Sequence, residues 1–323
     1  MKAIECNNYG SIEVLQMNEV AIPSPKPNEV LIRNYATTVT AADTMMRIGK
    51  PYIGRLYLGL RRPNKPILGF EFAGEIVAVG KDVTMFKVGE KVFGGTTTLG
   101  CYAEYVCVSE DGLLTTMPNN LTYEEATPVS GSAITVLNFL KGLAKIKPDD
   151  KVLINGASGG LGTYAVQYAR HVGAFVTGVC STVNVDMVKS LGADNVIDYT
   201  KVDFTKSGEQ YDTIFDTVGK RTFSECKNSL TQNGVYLSPI LNFPLMLQAI
   251  GTSLTGSKKA KFSFTGMVPV KQRLAYLEEL KELMQSGKIK TVLSKIYSLT
   301  EIGQAHTYVE TGHKKGNVVI SLA

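Results

Sequence analysis

Apolar positions along the chain change their spacing near Leu121, and that change separates two textures. Before it, short runs of β-branched and aromatic residues are punctuated by Pro and Gly, the pattern of strands and turns. Glu29 to Tyr35 and Gly69 to Val79 read most clearly as strands there. After it, Val- and Ile-rich runs alternate with helical periodicity, which predicts a parallel sheet with helical crossovers. Lys151 to Asn155 reads as a strand, and Leu161 to Val172 as a helix with Leu161, Ala165, Tyr168 and Val172 on one stripe. Ala174 to Cys180, Asn195 to Tyr199, Thr213 to Thr217 and Gly234 to Ser238 continue the strands, with a further one expected at Lys261 to Thr265. A helix follows Val270, with Leu274, Leu277, Leu280 and Met284 on one side and Gly287 as its stop, and Asn317 to Leu322 closes the chain as a strand.

A length of 323 residues favours two domains over one core. The formal charge of +5 is spread without a dense basic stripe, so no nucleic-acid partner is expected. No apolar run is long enough for a membrane span and no leader pattern opens the chain, so a cytoplasmic location is expected. The scattered cysteines (Cys6, Cys101, Cys107, Cys180, Cys226) suit a reducing compartment.

Candidate chemistry centres on Asn155-Gly156-Ala157-Ser158-Gly159-Gly160-Leu161-Gly162, which joins a predicted strand to a predicted helix. Ala157, Gly159 and Gly162 take the three glycine places of G-x-G-x-x-G. Missing side chains let a pyrophosphate approach the backbone, and the helix start offers free amides and the positive end of its dipole. Ser158, Gly159, Gly160 and Leu161 are the expected contacts. About 20 residues on, where an NAD enzyme places an acid against the ribose, stands Cys180-Ser181-Thr182. Without a carboxylate in that place a 2′-phosphate is tolerated, so NADPH is expected, with NADH as the alternative. Lys189 or Lys315 would meet the phosphate charge, and Tyr199 the adenine ribose.

Zinc chemistry is not expected. The first 170 residues hold no histidine, no C-x-x-C run exists, and Cys101 and Cys107, if in one strand, would lie roughly 20 Å apart. A Tyr-x-x-x-Lys dyad and a G-x-S-x-G elbow are also lacking. His171, His306 and His313 read as structural or solvent-facing.

Several blocks in order carry a family resemblance: Pro66-Ile-Leu-Gly-Phe-Glu-Phe-Ala-Gly-Glu-Ile-Val-Ala-Val-Gly80, Phe86-Lys-Val-Gly-Glu-Lys-Val92, Tyr102-Ala-Glu-Tyr105, Gly156 to Gly162 with Gln167, Leu191-Gly-Ala-Asp194, Ile197-Asp-Tyr199, Asp216-Thr-Val-Gly219 and Gly316-Asn-Val-Val-Ile320. The chain resembles the medium-chain dehydrogenase/reductase superfamily, and within it the zinc-free, zeta-crystallin-like quinone oxidoreductases. The resemblance implies an α/β fold: a GroES-like β-rich catalytic domain (1–122 and 266–323) with an inserted Rossmann doubly wound parallel sheet (123–265) and a cleft between them. It also implies NADPH-dependent hydride transfer to a quinone or enone, and pairing into a homodimer through Rossmann sheet edges. Thr135 would lie near the nicotinamide, Thr217 and Val218 would line the cofactor cleft, Ser238 and Pro239 would pass beside the nicotinamide, and Asn317 with Lys315 would reach the cofactor from the tail. Where many relatives carry Asn-x-x-Asp by the substrate, this chain has Thr40-Ala41-Ala42-Asp43, and Asn184 stands in place of the common 2′-phosphate lysine. Thr40, Tyr52 and Thr135 are the candidate donors to a developing oxyanion, with no obligatory general acid. Tyr52 to Pro63 is a candidate lid. A cofactor binder with little turnover, or an alcohol dehydrogenase, remains an alternative function.

Overall fold

Glu29–Val39 is an eleven-residue strand that buries Val30, Leu31, Ile32, Ala36 and Val39 together with the polar Asn34, Thr37 and Thr38, and a large, mostly antiparallel sheet grows from it. In the computed structural model, which describes residues 1–240 and 242–322, the chain divides into two compact units. The first comprises Met1–Gly131, Pro269–Gln285 and the chain from Thr291; the second comprises Ser132–Val268 and Ser286–Lys290.

In the first unit a seven-stranded sheet runs in the order Leu293–Ser298, Asn317–Ser321, Glu29–Val39, Glu71–Val79, Lys91–Gly95, Leu113–Thr116, and Tyr105–Ser109 also pairs with Glu29–Val39. Gly74 sits where a Cβ would collide with the Arg33 carbonyl of the neighbouring strand, so glycine permits the close crossing. Val30, Ile32, Phe72, Ile76 and Val92 form one core. A second core gathers Ile4, Tyr102, Leu299, Ile302 and Ile320 under the helix Ile302–Glu310.

In the second unit six parallel strands run in the order Asn195–Asp198, Phe175–Cys180, Lys151–Asn155, Tyr211–Asp216, Leu230–Leu237, Lys259–Lys261. The order reverses direction at Lys151–Asn155, the topological switch beside which open α/β sheets bind ligands. A mixed α/β fold with a β-rich unit and a doubly wound parallel sheet is thus what the hydrophobic spacing anticipates.

Several details differ from the sequence reading. The units part at Gly131–Ser132 instead of near Leu121, because Tyr123 stacks on Tyr35 (4.8 Å) and Ser130 Oγ donates to the Gly94 carbonyl (2.6 Å), tying that stretch to the first unit. The second boundary falls at Val268–Pro269, and residues 286–290 join the second unit, where Gln167 bonds both the N–H and the carbonyl of Lys290. Helix Gly160–Val172 is buried on nearly every side from Gly162 to Ala169 and not along one stripe, since it packs on its sheet and also on helix Ser132–Leu137. The last strand of the parallel sheet is Lys259–Lys261, not Lys261 to Thr265: its partner ends at Leu237, opposite Lys261, so no ladder remains beyond. Helix Val270–Gln285 buries Arg273, Tyr276 and Leu283 besides Leu277, Leu280 and Met284, while Leu274 is only half-buried. Cys101 precedes the strand that holds Cys107, so the two do not share one.

His306 is fully buried, its ring edge-on to Tyr102 and its Nε2 3.3 Å from the Tyr102 hydroxyl. Burial and the nearby Arg47 push its pKa down to about 3 from an ordinary 6.5. A base kept neutral in the folded state stabilises it fully above the unfolded value and loses that contribution as pH falls through the folded value. We therefore expect the urea midpoint to fall between pH 6.5 and about 3 with a steeper slope in the wild type than in His306→Phe. Equal slopes would remove His306 from the account of acid sensitivity.

Candidate functional site

The parallel sheet ends, at the switch, in a turn built by close approach. Gly156 has φ +82°, and a Cβ there would come within 2.5 Å of Thr217 Oγ1. A Cβ on Gly162 would run into the Gly156 carbonyl, whereas one on Gly159 would meet nothing closer than 3.4 Å. The turn therefore leaves an open concavity of bare backbone at Ser158 to Leu161. Helix Gly160–Val172 begins there with Gly159 at its cap position and no side-chain cap, so its first amides have no internal acceptor. Those are the features a dinucleotide pyrophosphate fits.

Asp216, absent from the sequence-derived site, organises the surrounding loops. Its fully buried carboxylate accepts from Asn155 Nδ2 (2.8 Å), Tyr236 OH (2.9 Å) and the amides of Val218 (3.1 Å), Gly219 (3.1 Å) and Arg221 (3.4 Å). Thr217 Oγ1 donates to the Asn155 carbonyl (2.8 Å). Thr217 and Val218 thus stand against the glycine turn, and Val218 is 39 % exposed. Ser238 is buried, its hydroxyl accepting from Ile240 N (3.3 Å), and Pro239 follows half-buried.

At the end of strand Phe175–Cys180, Cys180 is buried and Ser181 is half-buried. Asn184 bridges them to the turn, donating to both Ser158 Oγ (3.2 Å) and Ser181 Oγ (3.1 Å). The expectation of no carboxylate here needs correction: Asp198, from the adjacent strand, accepts from Thr182 Oγ1 at 2.6 Å and from Thr200 Oγ1 at 2.7 Å, with Lys201 Nζ 3.5 Å away. Sequence spacing counts along one strand and does not see what the neighbouring strand brings alongside. Those hydrogen bonds hold Asp198 down at about 2, so it is charged at neutral pH. Tyr199 is 55 % exposed, and Lys189 is exposed.

In the first unit the candidate residues fare differently. Thr40 caps helix Ala41–Ile48: its hydroxyl donates to the Asp43 carboxylate (2.5 Å) and accepts from the Asp43 amide (3.4 Å), while Asp43 accepts from Thr40 N. That hydroxyl is committed to the cap. Tyr52 is 67 % exposed, its ring facing the Arg55 guanidinium at 5.0 Å. The Tyr52 to Pro63 stretch includes a short helix, Arg55–Leu58, and is held at its base by Tyr9 OH on the Gly59 carbonyl (2.7 Å) and by Arg55 over Tyr9 (4.3 Å). Lys315 is exposed, and it is the neighbouring Lys314 that turns inward. Asn317 is buried and pairs with the Val292 carbonyl. Thr135, in the second unit on helix Ser132–Leu137, is half-buried and its hydroxyl makes no hydrogen bond among the described residues.

A buried polar group in the first unit was also missed. Glu71 accepts from Thr38 Oγ1 at 2.6 Å, and a Cβ on Gly131 would strike its carboxyl, so that glycine makes its room. Burial raises Glu71 to about 8, and Lys314, near enough to oppose that rise, is itself pushed down to about 8. The signal was a lone acid in the apolar run Phe70-Glu71-Phe72. Among the described residues no three His, Cys, Asp or Glu converge as a metal site.

The first unit matches the family profile described as an alcohol dehydrogenase GroES-like domain over residues 26–119, and residues 191–320 match one described as a zinc-binding dehydrogenase. The chloroplastic quinone-oxidoreductase QR1 of Triphysaria versicolor is 34 % identical, over 99 % of this chain and 98 % of its own. The chain belongs to the zeta-crystallin-like quinone oxidoreductase family of medium-chain dehydrogenases/reductases. The 2-methylene-furan-3-one reductase of Solanum lycopersicum is 29 % identical over 99 % of this chain and 79 % of its own. The crystal structure of Escherichia coli quinone oxidoreductase complexed with NADPH superposes with a TM-score of 0.85 at 25 % identity, covering 99 % of this chain and 100 % of that one.

Gly162→Val forces a side chain into the Gly156 carbonyl. We expect nucleotide binding, followed by calorimetry, to be lost and stability to fall by about 2 kcal/mol or more through overpacking. Undiminished binding would remove the glycine turn from the site. Glu71, raised above its unfolded 4.5, stabilises the fold below that value and loses the contribution as pH climbs to about 8. Glu71→Gln should therefore flatten the decline of the denaturation midpoint across that window.

Proposed function

We propose that this protein is an NADPH-dependent, zinc-independent oxidoreductase that transfers hydride to a quinone or an α,β-unsaturated carbonyl. The observation that carries the reading is the uncapped helix start behind a glycine turn at the switch of the parallel sheet, in a chain similar over nearly its whole length to a quinone oxidoreductase. Bound there, NADPH would supply the hydride. The amides of Gly160 and Leu161, with Ser158 and Gly159, would hold the pyrophosphate. Thr217, Val218, Ser238 and Pro239 would shape the nicotinamide end, and Asn317 is a further candidate contact to the cofactor.

The preference for NADPH rests on Ser181, whose own strand ends without an acid, and on Asp198 being occupied by two threonines and Lys201. Tyr199 offers an exposed ring to the adenine ribose. Lys189 or Lys315 would meet the 2′-phosphate. Of the three hydroxyls considered for the developing oxyanion, Thr135 is the one favoured, because Thr40 serves its helix cap and Tyr52 lies on an exposed turn. No step assigns a metal ion. The uniformly free cysteines support a reducing, cytoplasmic setting.

The test is purified protein with NADPH or NADH and a panel of quinones and enones, followed by loss of reduced-nicotinamide absorbance, with and without chelator. The expected outcome is acceptor-dependent oxidation faster with NADPH and insensitive to chelator, and Thr135→Val lowering kcat/KM by about a hundredfold. Tight NADPH binding without acceptor-dependent turnover would make the protein a binder instead, and chelator-sensitive oxidation of alcohols would make it a zinc alcohol dehydrogenase.

A further inference from the structure

Arg273 is 7 % exposed, and its guanidinium makes no hydrogen bond or ion pair among the described residues. Its Nε is shut off from water altogether, whereas the terminal nitrogens keep some access to it. A guanidinium holds its charge inside a protein, and a charge taken out of water without a partner is costly. Burial pushes the pKa of Arg273 down, and no neighbouring acid opposes that shift. Arg47 shows the ordinary treatment of a buried arginine in the same unit: Glu310 pairs with it, and the Gly10 carbonyl accepts from its Nη1 (2.9 Å). Arg273 has neither kind of partner.

Its own helix cannot supply one. Arg273 is the fourth residue of the sixteen-residue helix Val270–Gln285, and the positions one turn away, Pro269, Val270, Tyr276 and Leu277, carry no carboxylate. Tyr276 OH already accepts from Gln272 Nε2 (2.8 Å), and Glu278, further along, is paired with Lys281 (3.3 Å). The start of the helix is open in the same sense. The Pro269 carbonyl accepts the amides of Gln272 (3.0 Å) and Arg273 (3.1 Å), but the proline side chain cannot cap, and the amides of Val270 and Lys271 have no acceptor among the described residues. No acid stands in the first turn. Helical side chains lean toward the N-terminus of their helix, so Arg273 lies back over the turn that holds those two amides.

We propose that the first turn of helix Val270–Gln285, with the Arg273 guanidinium over it, is a binding site for an oxyanion: the carboxylate or phosphate group of a small molecule. The guanidinium offers paired N–H donors that match two oxygens of such a group, and the helix start adds amides and the positive end of its dipole. The bound oxyanion supplies the counter-charge that the fold gives to Arg47 and withholds from Arg273. It needs nothing from the hydride chemistry proposed above.

Thermal unfolding of the full chain should be followed in sodium phosphate and, separately, in sodium acetate, each against sodium chloride at equal ionic strength. The expected result is a saturable rise, about 2–4 °C where phosphate stands about fivefold above its dissociation constant, that is absent in Arg273→Met. A rise that never saturates, or one of equal size in the variant, would overturn the proposal. In chloride, Arg273→Met should unfold no earlier than the wild type, because an unpaired buried charge has been removed; an earlier transition would mark the arginine as structural and count against the site. The wild-type series stands without any variant. Calorimetry with NADP+ separates the sources of the oxyanion: affinity lowered in Arg273→Met assigns it to the nucleotide, and unchanged affinity assigns it to a separate small molecule.

Discussion

The Asp216 side chain is shut away from water, so its lone pairs must be met by the protein itself. Five donors meet them, and they come from the strand before the glycine turn, the loop after Asp216 and the next strand of the sheet. The carboxylate thereby fixes Asn155, the last residue before the turn, relative to Val218 and Gly219. Thr217 completes the clamp by donating to the Asn155 carbonyl. Removing the carboxylate would leave the Asn155 amide and three backbone amides without that acceptor, each costing about 1–3 kcal/mol unless water replaced it, while Tyr236 OH would keep the Arg221 carbonyl at 2.7 Å. The concavity at Gly159 is open because this neighbourhood is shut.

The two units treat polarity in opposite ways. The second spends its buried acid on holding loops apart from a bare helix start, which leaves unsatisfied donors aimed outward. The first hides its titratable groups. Asp43, raised to about 6 by burial, is bonded to Thr40, and Glu71, raised to about 8, is bonded to Thr38. Burial thus works against the charged form of both carboxyls, and a threonine hydroxyl holds each. One unit thus leaves backbone donors free at a helix start, and the other buries its acids against hydroxyl donors.

Legibility followed locality. The strand, turn and helix from Lys151 to Val172 were readable because they are contiguous and the glycines mark positions where backbone must approach backbone. Helix Val270–Gln285 was readable from its leucines, although Arg273 and Tyr276 were not seen as buried, since periodicity scores polar residues as outward. Asp198 beside Thr182 and Asp216 beneath the turn were not legible, because both depend on which strands become neighbours. Helix Phe243–Leu254 escaped for another reason: its apolar stripe faces away from the core, so the usual inference from stripe to burial points the wrong way.

Thr40 shows how much a local rule can settle. Its position differs from the asparagine of many relatives, which the sequence alone reads as a change of substrate contact. In the fold Thr40 is the first residue of a capping box, with Asp43 returning a bond to the Thr40 amide. Threonine and asparagine both serve at a helix cap, so the exchange preserves the entry to helix Ala41–Ile48 and keeps Asp43 in place. A hydroxyl that donates to a carboxylate and accepts an amide has little left to offer a substrate oxygen. Thr135, by contrast, has a hydroxyl with no hydrogen bond among the described residues, which is why the proposal above names it and not Thr40.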